Sequence, residues 1–412
     1  MNYKERRQRT TAAMEEKSIL ILYSGIALHT SADEYQDFEA NRQFFYLTGI
    51  RRERMALVID RCTVPATETL LIEPIDPAVE RWVGKKMTAE EARAVSGVER
   101  IALITELPEL LDRIMTRELP ETVYFDTYRH SVGDLEDYNQ VRAKEFAAAY
   151  PGIRIRTIYP VIAAMRMKKD AGEIAVTRKA VELAQHGLER VLSTLQPGMK
   201  EYQVQAEFEY EIRRLGAERT AFPTIAGSGK NGTMLHYETN RECCEDGTLI
   251  LLDLGARTEG YHSDITRTYP VNGRFTERQK QIYDIVLKAN REVAAMAAPG
   301  VTLRMLNDRC KEVLAEGLLA LGKIAKPEEI STYYMHSVSH HLGIDVHDVT
   351  VPELAVLEPG MVITDEPGLY LDDEEIGIRI EDDLLITESG CEVLSKDILR
   401  TTEEIEARMN NR

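Results

Sequence analysis

The chain has 412 residues, 43% of them apolar and 29% charged, with 25 glycines and 15 prolines spread along it. That is enough for two or three globular domains and excludes a peptide, a disordered chain or a low-complexity one. Asp and Glu number 69 against 51 Lys and Arg, and a formal charge of −18 repels a phosphate backbone, which argues against nucleic acid as a partner.

A basic opening with Lys4, Arg6, Arg7 and Arg9 precedes the apolar run Ser18–Tyr23. Glu15, Glu16 and Lys17 break the order that a secretory leader requires, so the run reads as a first buried strand. No stretch approaches the roughly 20 apolar residues of a membrane helix. Cys62, Cys243, Cys244, Cys310 and Cys391 are scattered without a C-x-x-C pair, which fits a reducing compartment. The expectation is a cytoplasmic chain with no membrane partner. Adjacent Cys243 and Cys244 read as the entry to a half-buried strand.

Further apolar runs at Met55–Ile59, Thr69–Ile72, Val123–Phe125 and Ile153–Ile158 alternate with helical or loop stretches such as Ala89–Ala94 and Leu107–Met115. This is the pattern of a mixed α/β domain. Trp82, the single tryptophan, reads as core packing. A polar stretch, Arg166–Asp170, follows Tyr159-Pro160 and marks a boundary, giving domains over 1–163 and 164–412.

The second half repeats itself at a spacing of about one hundred residues. Asp170 and Glu173 form a capping box ahead of a helix with Ile174, Val181, Leu188 and Leu195 on one face. Pro197-Gly198 ends it, a second helix carries Val204, Phe208, Ile212 and Leu215, and Gly216 stops that one. The order recurs: a box at Thr276 and Gln279, a stop at Pro299-Gly300, a helix with Leu303, Leu306, Cys310, Val313 and Leu321, then Gly322. Two helix–helix–sheet halves about a pseudo-twofold axis would place both sheets around one cleft.

Thr248–Tyr269 holds two β-rich runs around a polar turn, a hairpin signal. A two-residue turn at Thr258-Glu259 sets Asp253 directly opposite Asp264, where two carboxylates repel. Met361–Leu371 and Ile376–Ile386 flank the acidic turn Asp372–Glu375, and pairing about its centre sets Glu366 opposite Glu381. Four carboxylates in one cleft require protons or cations to compensate them. Oxygen-rich sets with one or two imidazoles suit Mn²⁺, with Co²⁺, Fe²⁺ and Zn²⁺ open, and the lack of thiolate argues against a structural zinc cage. Two ions could hold a hydroxide between them, so the reaction class is metal-assisted hydrolysis. His236, His262, His336, His340, His341 and His347 lie in this half's polar runs. At least one is expected to be a ligand, and His340 and His341 point opposite ways if extended. The G-x-G-x-x-G match at Gly227–Gly232 lacks a following helix, and His336-x-x-x-His340 lacks the Glu of a zincin helix.

These residues resemble the pita-bread metallopeptidases, most closely their aminopeptidase P branch. The resemblance is carried by Leu235-His-Tyr237, Ser339-His340, Asp365-Glu-Pro-Gly-Leu-Tyr370 and Ile378-Arg-Ile-Glu-Asp382, with Asn41–Gly49 similar to a strand-and-turn of a creatinase-like N-terminal domain. Arg166, Lys169, Glu173 and Ile174 are similar to the family's linker into the catalytic half. It implies an α/β (α+β) fold of two parts, a creatinase-like domain and a pita-bread catalytic domain with an internal repeat. It implies two divalent metal ions per subunit held by Asp253, Asp264, His340, Glu366 and Glu381. It implies hydrolysis of the bond between an N-terminal residue and a following proline by a metal-bridged hydroxide, with Glu366 shuttling the proton. His236 and His347 would stabilise the oxyanion, His336 would line the proline side, and Arg379 would orient neighbouring carboxylates. The resemblance further implies a peptide substrate with proline second, a homodimer or homotetramer, and a residue like Trp82 near a neighbouring subunit's cleft. Phe222 departs from the Tyr of several members, and Asp365, acidic where an apolar residue is common, reads as structural. The alternatives are a dipeptide-cleaving prolidase, metal-free creatinase-like hydrolysis, and an inactive pita-bread binding module.

Overall fold

The computed structural model describes residues 1–351 and 355–411. The chain divides into two compact units, Met1–Arg166 and Met167–Arg412. The division falls inside a helix, Tyr159–Met167, where the sequence suggests a polar linker.

In the first unit six strands form one sheet in the order Arg100–Leu103, Thr67–Ile72, Ala56–Asp60, Ser18–Tyr23, Thr122–Phe125, Arg154–Thr157. Ser18–Tyr23 is buried at every position, antiparallel to Ala56–Asp60 on one side and parallel to Thr122–Phe125 on the other. Ile19, Ile21, Val58, Leu71, Val123 and Phe125 pack on one face against Leu110, Ile114 and Phe146 of the helical segments. Burial on both faces is why these runs are almost continuously apolar.

The basic opening gains a definite element here, and two readings need correction. The basic opening is a helix, Tyr3–Ala13, and Arg7 is fully buried, its Nη1 donating to the carbonyls of Leu47 and Ser96 at 2.9 and 2.8 Å. Asn41–Gly49 is not a strand and turn but a capped helix, Arg42–Thr48. Asn41 Oδ1 accepts from the Phe44 amide at 2.9 Å, and Gly49 closes the last turn at φ 73°. Caps at both ends outweigh the β-propensity of Phe-Phe-Tyr-Leu. Trp82 is 90% exposed on Pro77–Val83, a helix with no buried residue, so it is not a core residue.

The second unit carries the two helix pairs, Ala171–Thr194 with Glu201–Arg214 and Glu277–Met296 with Leu303–Ala320. Both expected capping boxes form, at Asp170/Glu173 and Thr276/Gln279. Each pair crosses on a glycine: a Cβ on Gly187 would lie 2.4 Å from Phe208, and one on Gly317 2.5 Å from Ile285. Leu215 at a helix end is 38% exposed, so the predicted apolar face is shorter than its stripe. Cys244 is buried and its amide bonds the Met199 carbonyl, while Lys200 and Cys243 form an isolated bridge.

Leu249–Leu254 is central in a three-stranded sheet between Ile225–Ser228 and Ile265–Pro270. Val362–Asp365 pairs with Asp382–Ile386, and Gly368–Leu371 with Ile376–Arg379. Amide bonds from Glu381 to the Thr266 carbonyl (3.0 Å) and from Arg379 to Thr268 Oγ1 (3.2 Å) stitch the later strands to the earlier sheet.

Candidate metal centre

The hairpin turns at Glu259-Gly260, not at Thr258-Glu259. Both turn residues have positive φ (48° and 82°), the two-residue geometry whose twist matches the strands and which the glycine serves. The register therefore shifts by two: Asp253 faces Thr266, not Asp264. An even shift preserves the face, so Asp253 and Asp264 still project together, diagonally instead of directly opposed. Between the ladders Leu254↔Ile265 and Arg257↔His262 lies Gly255, where a Cβ would fall 2.0 Å from the Ser263 carbonyl oxygen.

The second pairing follows the expected register on both sides of a gap. The ladder of Val362–Asp365 ends at Asp365↔Asp382, and that of Gly368–Leu371 begins at Gly368↔Arg379. Glu366 and Glu381 lie in the gap, with the Glu366 amide bonded instead to the Val338 carbonyl at 2.8 Å. Residues 338–342 run extended beside Val362–Asp365: Thr364 donates to the His340 carbonyl at 2.9 Å and Leu342 to that of Val362 at 3.0 Å. Alternation along this segment turns His340 into a cavity and His341 away from it.

That cavity, about 650 Å³, is lined by Asp253, Asp264, His340, Glu366, Glu381, His236, His336, His347 and Arg379. His262 and His341 lie outside it; His262 is buried with its Nδ1 at 3.2 Å from the Gly343 carbonyl. Phe222, Pro223, Ile225, Leu235 and Val346 supply an apolar wall. Asp365 is fully buried and bonded to Asn290 Nδ2 at 3.2 Å, away from the cavity.

Ligand atoms of Asp264, His340 and Glu381 lie within 4.8 Å of one another. His340 Nε2 is 3.4 Å from Asp264 Oδ2 and 3.6 Å from Glu366 Oε1, while its Nδ1 donates to the His341 carbonyl at 3.1 Å. Arg379, buried, spreads three bonds: Nη2 to Asp253 Oδ2 at 2.6 Å, Nε to Thr266 Oγ1 at 3.1 Å and Nη1 to the Tyr370 phenol at 2.9 Å. Thr266 Oγ1 in turn donates to Glu381 Oε2 at 2.7 Å. Tyr370 also bonds His336 Nε2 at 2.8 Å. Thr266 and Tyr370 are the residues that inspection of the sequence leaves out. The only signal for them is their position, Thr266 two residues past Asp264 and Tyr370 four past Glu366.

Burial and the neighbouring acids raise the carboxyls of Asp264 and Glu381 above their ordinary range, and push Glu366 up to about 7 against the pull of His340 and Arg379. Burial alone would lower His340, but Asp264 and Glu366 outweigh it and lift the imidazole to about 9. Burial, helped by Arg379, takes His336 down to about 4, and burial with His340 lowers His347. Ionised together, Asp264, Glu366 and Glu381 would carry more negative charge than Arg379 and one imidazole offset, and their raised carboxyls express that repulsion. Asp253 Oδ1 is buried with no hydrogen-bond partner among the described residues. An orphaned carboxylate oxygen beside three converging donors, all oxygen or imidazole nitrogen, fits a divalent cation of the Mn²⁺ to Zn²⁺ range.

Residues 175–388, more than half of the chain, match the family model described as metallopeptidase family M24. The chain belongs to that family. Residues 3–124 match the aminopeptidase P N-terminal domain, so the M24 pita-bread unit follows a mixed α/β unit of aminopeptidase P type. The chain is 34% identical to the Xaa-Pro aminopeptidase of Escherichia coli (strain K12), over 99% of this chain and 97% of the relative. A putative aminopeptidase P from Bacillus anthracis superposes with a TM-score of 0.97 at 41% identity, covering 100% of this chain and 98% of that one. The structure of E. coli aminopeptidase P with the inhibitor Pro-Leu gives 0.89 at 33% identity, with the same coverage. Membership agrees with the donor cluster: a metallopeptidase needs a cation site, and this one lies within the matched residues.

Proposed function

We propose that this chain is a Xaa-Pro aminopeptidase that binds two divalent ions, Mn²⁺ first among them, through Asp253, Asp264, His340, Glu366 and Glu381. The observation that carries the reading is the convergence of these five groups with His236, His336 and His347 on one cavity. Bound there, divalent cations supply Lewis acidity, polarising water and the scissile carbonyl.

The remaining chemistry falls to the chain. Glu366 takes the proton from attacking water and passes it to the leaving nitrogen. His236 and His347 donate to the oxyanion as charge develops on it. His336, steered by Tyr370, lines the proline side, and Arg379 holds Asp253 in place. A proline nitrogen carries no N–H in the peptide bond, so the apolar wall of Phe222, Pro223, Ile225, Leu235 and Val346 suits a ring and asks for no donor.

Relatives named Xaa-Pro aminopeptidase favour this reading over prolidase. All five cysteines are free, which supports a reducing, cytoplasmic location. Trp82 is exposed together with Val79 and Val83 of the same helix, an apolar face that supports assembly as a homodimer or homotetramer. The deciding experiment supplies Mn²⁺ and compares a Xaa-Pro-Xaa tripeptide, a Xaa-Pro dipeptide and a Xaa-Ala-Xaa control. Preferred cleavage of the tripeptide, lost in Glu366→Gln, is expected. Cleavage of the dipeptide alone would make the chain a prolidase, and no cleavage of any Xaa-Pro peptide would leave a binding module.

A further inference from the structure

Only one side of the segment 340–348 takes part in the chemistry above. Its other side carries a buried ion pair: Lys169 Nζ lies 3.1 Å from Asp348 Oδ2, with each side chain 1% exposed. Lys169 is itself anchored, its amide donating to the Gly360 carbonyl at 2.8 Å. The Asp348 amide donates at 2.8 Å to the His341 carbonyl, the same oxygen that accepts His340 Nδ1 at 3.1 Å. Gly343 gives the carboxylate its room, since a Cβ there would lie 2.3 Å from Asp348 Oδ2 and 3.0 Å from Lys169 Cε. One residue before Asp348, the His347 ring packs edge-on to His340 with centroids 4.3 Å apart.

A buried ion pair is a poor stabiliser, because apolar residues of similar volume do as well or better. This pair stands two hydrogen bonds behind His340, where an outer partner fixes which ring nitrogen faces a metal. We infer that Lys169 and Asp348 are positioning residues for the cation centre. By pinning Asp348 they hold the His341 carbonyl where it accepts the hydrogen bond from His340 Nδ1, which aims Nε2 at Asp264 and Glu366. The inference rests on the cation reading proposed above.

The test is Mn²⁺ affinity, measured by titration calorimetry on the chelator-stripped full chain, together with melting midpoints. Asp348→Asn is expected to lose Mn²⁺ affinity about ten- to hundredfold and to melt lower, because Lys169 is left without its charge partner. Lys169→Met combined with Asp348→Asn removes both charges, so the midpoint recovers while the affinity stays low. A purely structural pair would restore both, and a double variant binding within about twofold of the parent overturns the inference. Gly343→Ala keeps both charges but displaces the carboxylate. It decides the matter should the double variant not fold: a comparable loss supports the role, and parental affinity refutes it. A parent chain that takes up no Mn²⁺ overturns the cation reading itself, and this inference with it.

Discussion

Tyr370→Phe removes one oxygen and keeps the ring, so its effect is counted in hydrogen bonds rather than in packing. The phenol accepts from Arg379 Nη1 at 2.9 Å and pairs with His336 Nε2 at 2.8 Å, and the residue is 3% exposed, so water does not substitute. A bond to a charged group contributes about 1.5–3 kcal/mol and a neutral one about 0.5–1.5, which together give a loss of about 3 kcal/mol. In a unit of this size each kcal/mol moves the midpoint by about 2–4 °C, so calorimetry should show a fall of roughly 6–12 °C. Activity should fall as well, by about tenfold in kcat/KM for each 1.4 kcal/mol of transition-state stabilisation lost. The cause is that His336 and Arg379 both lose the group that relates them. A midpoint within about 1 °C of the parent, with unchanged hydrolysis of a Xaa-Pro-Xaa tripeptide, would refute the claim that this phenol couples the imidazole to the guanidinium.

Glu374 is held down to about 2 by hydrogen bonds from Arg278 and, against some burial, by Lys323. A depressed carboxyl stabilises above its unfolded value and loses that contribution as pH falls through the folded one. The midpoint gap between the parent and Glu374→Gln should therefore be constant above about pH 5, shrink between about 4.5 and 2, and narrow in high salt. A gap that persists at the acid end would contradict the assignment. Gly187→Ala places a Cβ 2.4 Å from Phe208 and 2.9 Å from Ile212, an overpacking worth about 1–3 kcal/mol. Denaturant titration should register it while kcat/KM below the transition stays parental. Chelation should lower the midpoint by leaving Asp253, Asp264, Glu366 and Glu381 uncompensated. Mn²⁺ at one hundred times its Kd should return about 2.7 kcal/mol, and equal midpoints with and without chelator would speak against a bound cation.

Much of the site is legible because its acids sit on or directly beside period-2 strands and its helices begin at capping boxes, both local patterns. The second hairpin's register could be read from its acidic turn. The first could not, because the turn's position depends on which two residues accept positive φ, and Glu259-Gly260 does so in place of Thr258-Glu259. The two-residue error was harmless to the site only because it was even. Asn41–Gly49 departs from its sequence pattern for a different reason: its aromatic run favours strand, and the Asn and Gly at its ends decide for helix. The parts that resisted reading are long-range. Tyr370 acquires its role from His336 and Arg379, and Lys169 from an aspartate 179 positions away. No local period encodes such partners.

The break between the two ladders at Glu366 and Glu381 has a consequence for how this architecture can change. At those positions the main chain is secured to Val338 and Thr266, whatever side chain each residue bears. Exchange of either acid therefore leaves the sheet's own bonding intact. Catalysis and scaffold are separately editable at this joint, which opens a short mutational path from hydrolase to a folded, inert receptor for the same peptides.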